Sequence, residues 1–114
     1  MELNVTVLRG PLSSPPELRT LPSGSEVATL SVRVPAEGRS TSVPVTVWDP
    51  PAWIGDLAPG DEVLVLGAVR RRFYRTAGGT GSRVDVEASF VTRDDRRRRP
   101  AFARRVEASL AELA

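Results

Sequence analysis

Val63-Leu64-Val65-Leu66-Gly67-Ala68-Val69-Arg70-Arg71-Arg72-Phe73-Tyr74 is the stretch whose reading decides the fold of this chain. Val63, Val65, Gly67 and Val69 fall on one parity, so a strand through them turns all four to one face. Leu64 and Leu66, then Arg70, Arg72 and Tyr74, take the opposite face. A glycine on the inward parity fits a bulge or a sharp bend, as where a barrel strand turns a corner.

Working outward, the same alternation recurs four times. Residues 3–8 set Leu3, Val5 and Val7 against Asn4 and Thr6. Residues 27–34 set Ala28, Leu30, Val32 and Val34 against Thr29, Ser31 and Arg33. Residues 42–48 set Val43, Val45 and Val47 against Ser42, Thr46 and Trp48. Residues 83–91 set Val84, Val86, Ala88 and Phe90 against Arg83, Asp85, Glu87 and Ser89. These runs are rich in β-branched residues and predict five strands. Pro44 is awkward in such a strand, because it has no N–H to donate to a ladder.

The connections are written in turn residues. Pro11, Pro15, Pro16 and Pro22-Ser23-Gly24 separate the first two strands, Pro35 to Ser40 forms a loop, and Ala77 to Gly81 forms a hairpin tip. Between the third and fourth strands, Pro50-Pro51 suits a helix start and Pro59-Gly60 a stop, which predicts a helix of one or two turns. The order β-β-β-α-β-β is that of the five-stranded Greek-key barrel called the OB-fold, here predicted over residues 1–92. After Val91 comes a basic run, Arg93 to Arg99. Phe102, Val106, Leu110 and Leu113 then recur at helical spacing, so 93–114 reads as a basic linker and an amphipathic C-terminal helix over 101–113.

Composition removes most chemistries. The chain has 114 residues and neither cysteine nor histidine, so it holds no thiolate, disulfide, imidazole base or histidine–cysteine metal site. Asp85 with Glu87, Asp61 with Glu62 and Asp94 with Asp95 are carboxylate pairs without a visible base or nucleophile, and solvated faces commonly look like this. No catalysis and no cofactor are expected. With no run of eighteen apolar residues and no secretory leader, a soluble cytoplasmic protein is expected, with no membrane partner.

All 16 basic residues are arginine, and they segregate. Residues 1–64 carry four Arg against eight acids, while 65–105 carry twelve against four. Such asymmetry points to a polyanion partner. If the strands neighbour one another, the outer parity gathers Arg33, Trp48, Arg70, Arg72 and Tyr74, with Arg75 and Arg83 on the hairpin. Aromatic faces among guanidinium groups suit single-stranded nucleic acid, whose bases stack and whose phosphates release counterions. Other readings stay open: Trp48 packs under a loop or in a subunit interface, and Tyr74 is a hairpin-edge residue. Phe73 has core parity, and Trp53 reads as a plug of the barrel. Leu64 and Leu66 mark either a subunit interface or a surface covered by the C-terminal helix. The Arg96 to Arg99 run is either a strand contact or a solvated linker.

Over residues 3–92 the chain resembles the bacterial single-stranded DNA-binding protein family. The likeness lies in Asn4-Val-Thr-Val-Leu-Arg-Gly10, Pro16-Glu-Leu-Arg19, Leu21-Pro-Ser-Gly24, Val27-Ala-Thr-Leu-Ser-Val32 and Val45-Thr-Val-Trp48. Gly60-Asp-Glu-Val-Leu-Val-Leu-Gly67 and the arginine-bearing hairpin complete it. The resemblance implies an OB-fold that wraps single-stranded DNA and assembles as a homotetramer or homodimer, serving replication, repair or recombination at the nucleoid. It carries the family's stacking aromatics onto Trp48 and Tyr74. Two further aromatic positions depart: the third strand starts with Ser42, and the loop 35–40 has no tryptophan. The ending Glu107 to Ala114 lacks the family's acidic tip, so a short paralogue is expected, without tip-mediated recruitment of replication enzymes. The alternative is an OB module repurposed for protein interaction or assembly, with little DNA affinity.

Overall fold

In a computed structural model, which describes residues 2–113, six strands form one sheet. They are β1 (Thr6–Pro11), β2 (Glu17–Thr20), β3 (Glu26–Ala36), β4 (Arg39–Trp48), β5 (Glu62–Thr76) and β6 (Gly79–Arg93). Helix α1 (Ala52–Gly55) lies between β4 and β5, and α2 (Arg99–Leu110) follows β6, with a 3-10 turn at Ala111–Leu113. The sheet order is β1-β5-β6-β4-β3-β2, antiparallel except for the short β4–β6 pairing at Val45–Val86 and Thr46–Glu87.

The expected five-stranded closed barrel is corrected in two respects. A sixth strand, β2, pairs Glu17 to Thr20 with Glu26 to Thr29, so α1 follows the fourth strand rather than the third. All four β2 residues are exposed, so no burial pattern announces it. The ladder is also open: β1 and β3 form no continuous pairing among the described residues and meet through the Leu12–Val32 bridge and Ser13, whose N–H (2.9 Å) and hydroxyl (3.3 Å) both donate to the Ser31 carbonyl. The two pass so closely that a Cβ on Gly10 would lie 1.9 Å from the Arg33 carbonyl oxygen.

The core is built from Leu12, Ala28, Leu30, Val32, Val45, Val47, Val63, Val65 and Val86, with Ile54 of α1 and Leu57 closing one end. Ile54 is the plug; Trp53 is only half-buried beside it. In the first strand the expected face is replaced: Leu8 and Leu12 turn inward, while Leu3 and Val7 are exposed. The loop expected over 35–40 shrinks to Glu37-Gly38. Both have positive φ (44° and 79°), the signature of a two-residue turn whose twist matches its strands.

The Gly67 position is the bulge. Leu66 pairs with Phe90 but Gly67 pairs with Ala88, leaving Ser89 as the extra residue of β6. A Cβ at Gly67 would lie 2.3 Å from the Glu87 carbonyl oxygen, so the strands approach as only glycine allows. The bulge flips the parity of β6, and Phe90 leaves the expected inner face for the outer one. There it joins Leu64, Leu66, Val5, Phe102 and Val106 in a second apolar cluster. The two leucines are thus covered by α2 of the same chain, with Phe90 and Phe102 stacked at 6.1 Å between centroids.

The α2 helix is tied at its start. Asp94 accepts from Arg9 Nε and from Arg99 Nε, both at 2.7 Å, and Asp95 pairs with Arg98. Burial pushes the Asp94 carboxyl up, but the hydrogen bonds from Arg99 and Arg9 outweigh it and hold it below the usual carboxylate range.

Candidate functional site

Beyond the bulge, β5 and β6 run on as a long hairpin, each strand spanning 15 residues. On its outer face Arg70 stands opposite Asp85, Arg72 opposite Arg83 and Tyr74 opposite Gly81. Arg70 and Arg72 meet a buried carboxylate. Asp85, 1% exposed, accepts from Thr46 Oγ1 at 2.6 Å and from Arg72 Nε at 3.0 Å. Arg70 Nε lies 3.9 Å from its other oxygen, and Arg70 also pairs with Glu87. The buried carboxylate positions Arg72 by a hydrogen bond, while Arg70 stands only at ion-pair distance from it.

The Arg72 guanidinium lies 5.8 Å from the Trp48 ring centroid, a cation–π contact that holds the indole on the outer face. Trp48 remains 38% exposed. Tyr74 lies across its partner strand: a Cβ at Gly81 would come within 2.6 Å of the tyrosine ring, so glycine there gives the ring its bed. These positions follow from strand parity, and the indole at Trp48 is exposed because β4 ends there.

The sheet register adds a residue that the sequence reading passed over. Arg19 of β2 pairs with Val27, and Val27 pairs with Trp48, so Arg19, Val27 and Trp48 form one row across three strands. Arg19 then lines a cavity of about 510 Å³ together with Arg72, Phe73, Tyr74 and Arg83. Recognition of β2 as a strand is the signal that would have found it. Phe73, expected in the core, is 71% exposed, because the hairpin has already left the packed part of the sheet where its inner parity would be buried. Val69 and Val84, each 47% exposed, show the same departure.

Trp48, Arg70, Arg72, Tyr74 and Arg83 are therefore brought to one region. Arg75 stands one residue beyond Tyr74, exposed, opposite Thr80 near the hairpin tip. Arg33 stands apart: it pairs with Ser42, six residues along β3 from the partner of Trp48, a strand distance of roughly 20 Å. Among the described residues, Arg19, Arg33, Arg75 and Arg83 make no salt bridge, and no group of three or more acidic side chains is placed to hold a metal ion. The region therefore offers aromatic faces and free guanidiniums, a surface suited to stacking and to anions.

No family model matches the chain. A single-stranded DNA-binding protein of Thermus thermophilus is 35% identical over 83 residues, covering 68% of this chain and 32% of that protein. The chain thus spans about a third of the length of the curated relatives it matches. The wild-type single-stranded DNA-binding protein of Thermus aquaticus superposes with a TM-score of 0.68 at 30% identity, over 82% of this chain and 41% of that one. The Plasmodium falciparum protein, solved in complex with single-stranded DNA, superposes with a TM-score of 0.71 over 83% of this chain and 97% of its own; at 21% identity it speaks for the fold alone. On sequence and fold together, this chain is similar to the single-stranded DNA-binding proteins over 68% of its length.

Proposed function

We propose that the chain binds single-stranded DNA with little regard to sequence, through an OB-type barrel in residues 1–92, and catalyses no reaction. Trp48 and Tyr74 stack bases, and Arg75 and Arg83 neutralise phosphates. Arg70 and Arg72 hold the platform through Asp85, with Arg72 also reaching the strand beside Trp48. Arg33 carries the track further along β3. Residues 93–114 form a basic connection and a helix that braces the barrel, and the protein assembles with its own copies as a dimer or tetramer. Its place is the cytoplasm, at the nucleoid, in replication, repair or recombination.

One observation carries this reading: an exposed indole beside the Arg72 guanidinium and a tyrosine ring close over Gly81, next to a cavity walled by Arg19, Arg72 and Arg83. Flat π faces are what every base can use, and free guanidiniums are what every phosphate can use. The test is a titration of tryptophan emission with oligo-dT at about 50 and about 300 mM salt, since counterion release makes strand binding weaken steeply with salt. Saturable quenching that weakens with salt supports the reading. No quenching and no mobility shift would turn the surface into a protein-interaction module seeking an acidic partner.

A further inference from the structure

A groove leads away from Trp48 in the direction opposite to the hairpin. Beside the indole is a cavity of about 320 Å³ lined by Trp48, Pro51, Trp53, Phe90 and others. Next to it is a second, of about 290 Å³, lined by Trp53, Phe90, Arg93 and Arg98 among others. Trp53, Phe90 and Val91 line both, so the two cavities form one path with an indole and a phenyl ring in its wall. Each ring carries a guanidinium: Arg93 lies 5.5 Å from the Trp53 centroid, and Arg105 lies 4.6 Å from that of Phe90. The path therefore repeats the chemistry of Trp48 under Arg72.

The charge of the rim favours an anion. Asp61, 3.9 Å from Arg93, and Asp95, paired with Arg98, offset two of its arginines. Arg105, over the Phe90 ring, has no ion pair among the described residues, so it leaves an uncompensated positive charge beside the groove.

From this continuity we infer a second strand-binding subsite: single-stranded DNA that stacks on Trp48 continues along the groove. Its next bases lie against Trp53 and Phe90, and its phosphates meet Arg93, Arg98 and Arg105. The inference rests on the single-strand reading above and extends it to α1, the end of β6 and α2. It also gives the arginines that flank α2 a ligand.

Length dependence separates the two sites. An oligo-dT of about 5 nucleotides fills the Trp48–Tyr74 region, whereas one of about 15 reaches the groove. The chain has two tryptophans, so Trp48→Phe leaves Trp53 as the only indole reporter. Its emission is expected to quench with the longer strand and to stay unchanged with the shorter. In otherwise wild-type protein, the double variant R93Q/R105Q is expected to bind the short strand as before and the long strand at least about tenfold more weakly. Its salt slope on the long strand should fall by about 1.4, two phosphates at about 0.7 each. Long-strand binding that leaves Trp53 emission unmoved, or a double variant indistinguishable from wild type at both lengths, overturns the subsite while leaving the first site standing. Wild-type protein that binds neither length removes both.

Discussion

Leu64 and Leu66 lie on the same strand and the same face as Arg70, Arg72 and Tyr74, yet the two halves of that face meet opposite fates. The leucines are 6% and 4% exposed, shut beneath Phe102 and Val106 of α2. Past the bulge, Tyr74 is 49% exposed and lines a cavity with Arg72. Parity assigns a side chain to a face, but what lies over that face is decided elsewhere in the chain. Here the helix reaches as far as the bulge, and the open half begins where it stops. Within one strand, the covered half contributes stability and the open half is available to a ligand.

Gly67 is the joint between them, and filling it should have the largest effect. Gly67→Val puts a branched side chain where even a Cβ lies 2.3 Å from a carbonyl oxygen, so about 3 kcal/mol or more of stability should be lost in denaturant titration. A variant as stable as the wild type would mean that the bulge is not a fixed boundary between the two halves.

A reciprocal pair sharpens the division. Phe102→Ala empties the covered half and should cost about 3 kcal/mol in stability while leaving short-strand affinity unchanged. Trp48→Ala should do the reverse, weakening strand binding by about 1–3 kcal/mol with little change in melting temperature. If Phe102→Ala lowers short-strand affinity in protein that is still folded, the halves are coupled and the separation fails.

The smallest effect is on how α2 is moored. Asp94 is ionised more readily in the folded protein than in the unfolded chain, so its contribution is complete above the unfolded value of about 3.9. It is lost as pH falls through the lowered folded value. Amides of α2 should therefore lose exchange protection before those of β3 do as pH falls below about 3.9. Equal protection of both over that range would mean that the Arg9–Asp94–Arg99 bridge is not what holds the helix.

The strands that enclose the core were legible because alternating Val, Leu and Ala record burial on one side. β2 was not legible: Glu17 to Thr20 are all exposed, so pairing alone makes them a strand and leaves no apolar rhythm to read. The same reason hid Phe73, since parity was carried past the point where the packed core ends and both hairpin faces meet solvent. At the candidate site, the aromatic and arginine positions on β4 and β5 followed from parity. Arg19 required knowing that β2 lies beside β3, a long-range fact that no local pattern carries. The Gly67 bulge was readable at the glycine itself, but its effect on the partner strand, the turning of Phe90 toward α2, was not.

The bed that Gly81 gives Tyr74 has an entropic consequence. A free tyrosine on a hairpin samples several rotamers and must give them up when it is pinned between a strand and a base. Ordering one mobile side chain at an interface costs about 0.5–1.5 kcal/mol. Tyr74 has already lost that freedom by lying on its partner strand, and folding has met the cost. Gly81 thus leaves the ring ordered on its partner strand, so a base that stacked there would not have to immobilise it again.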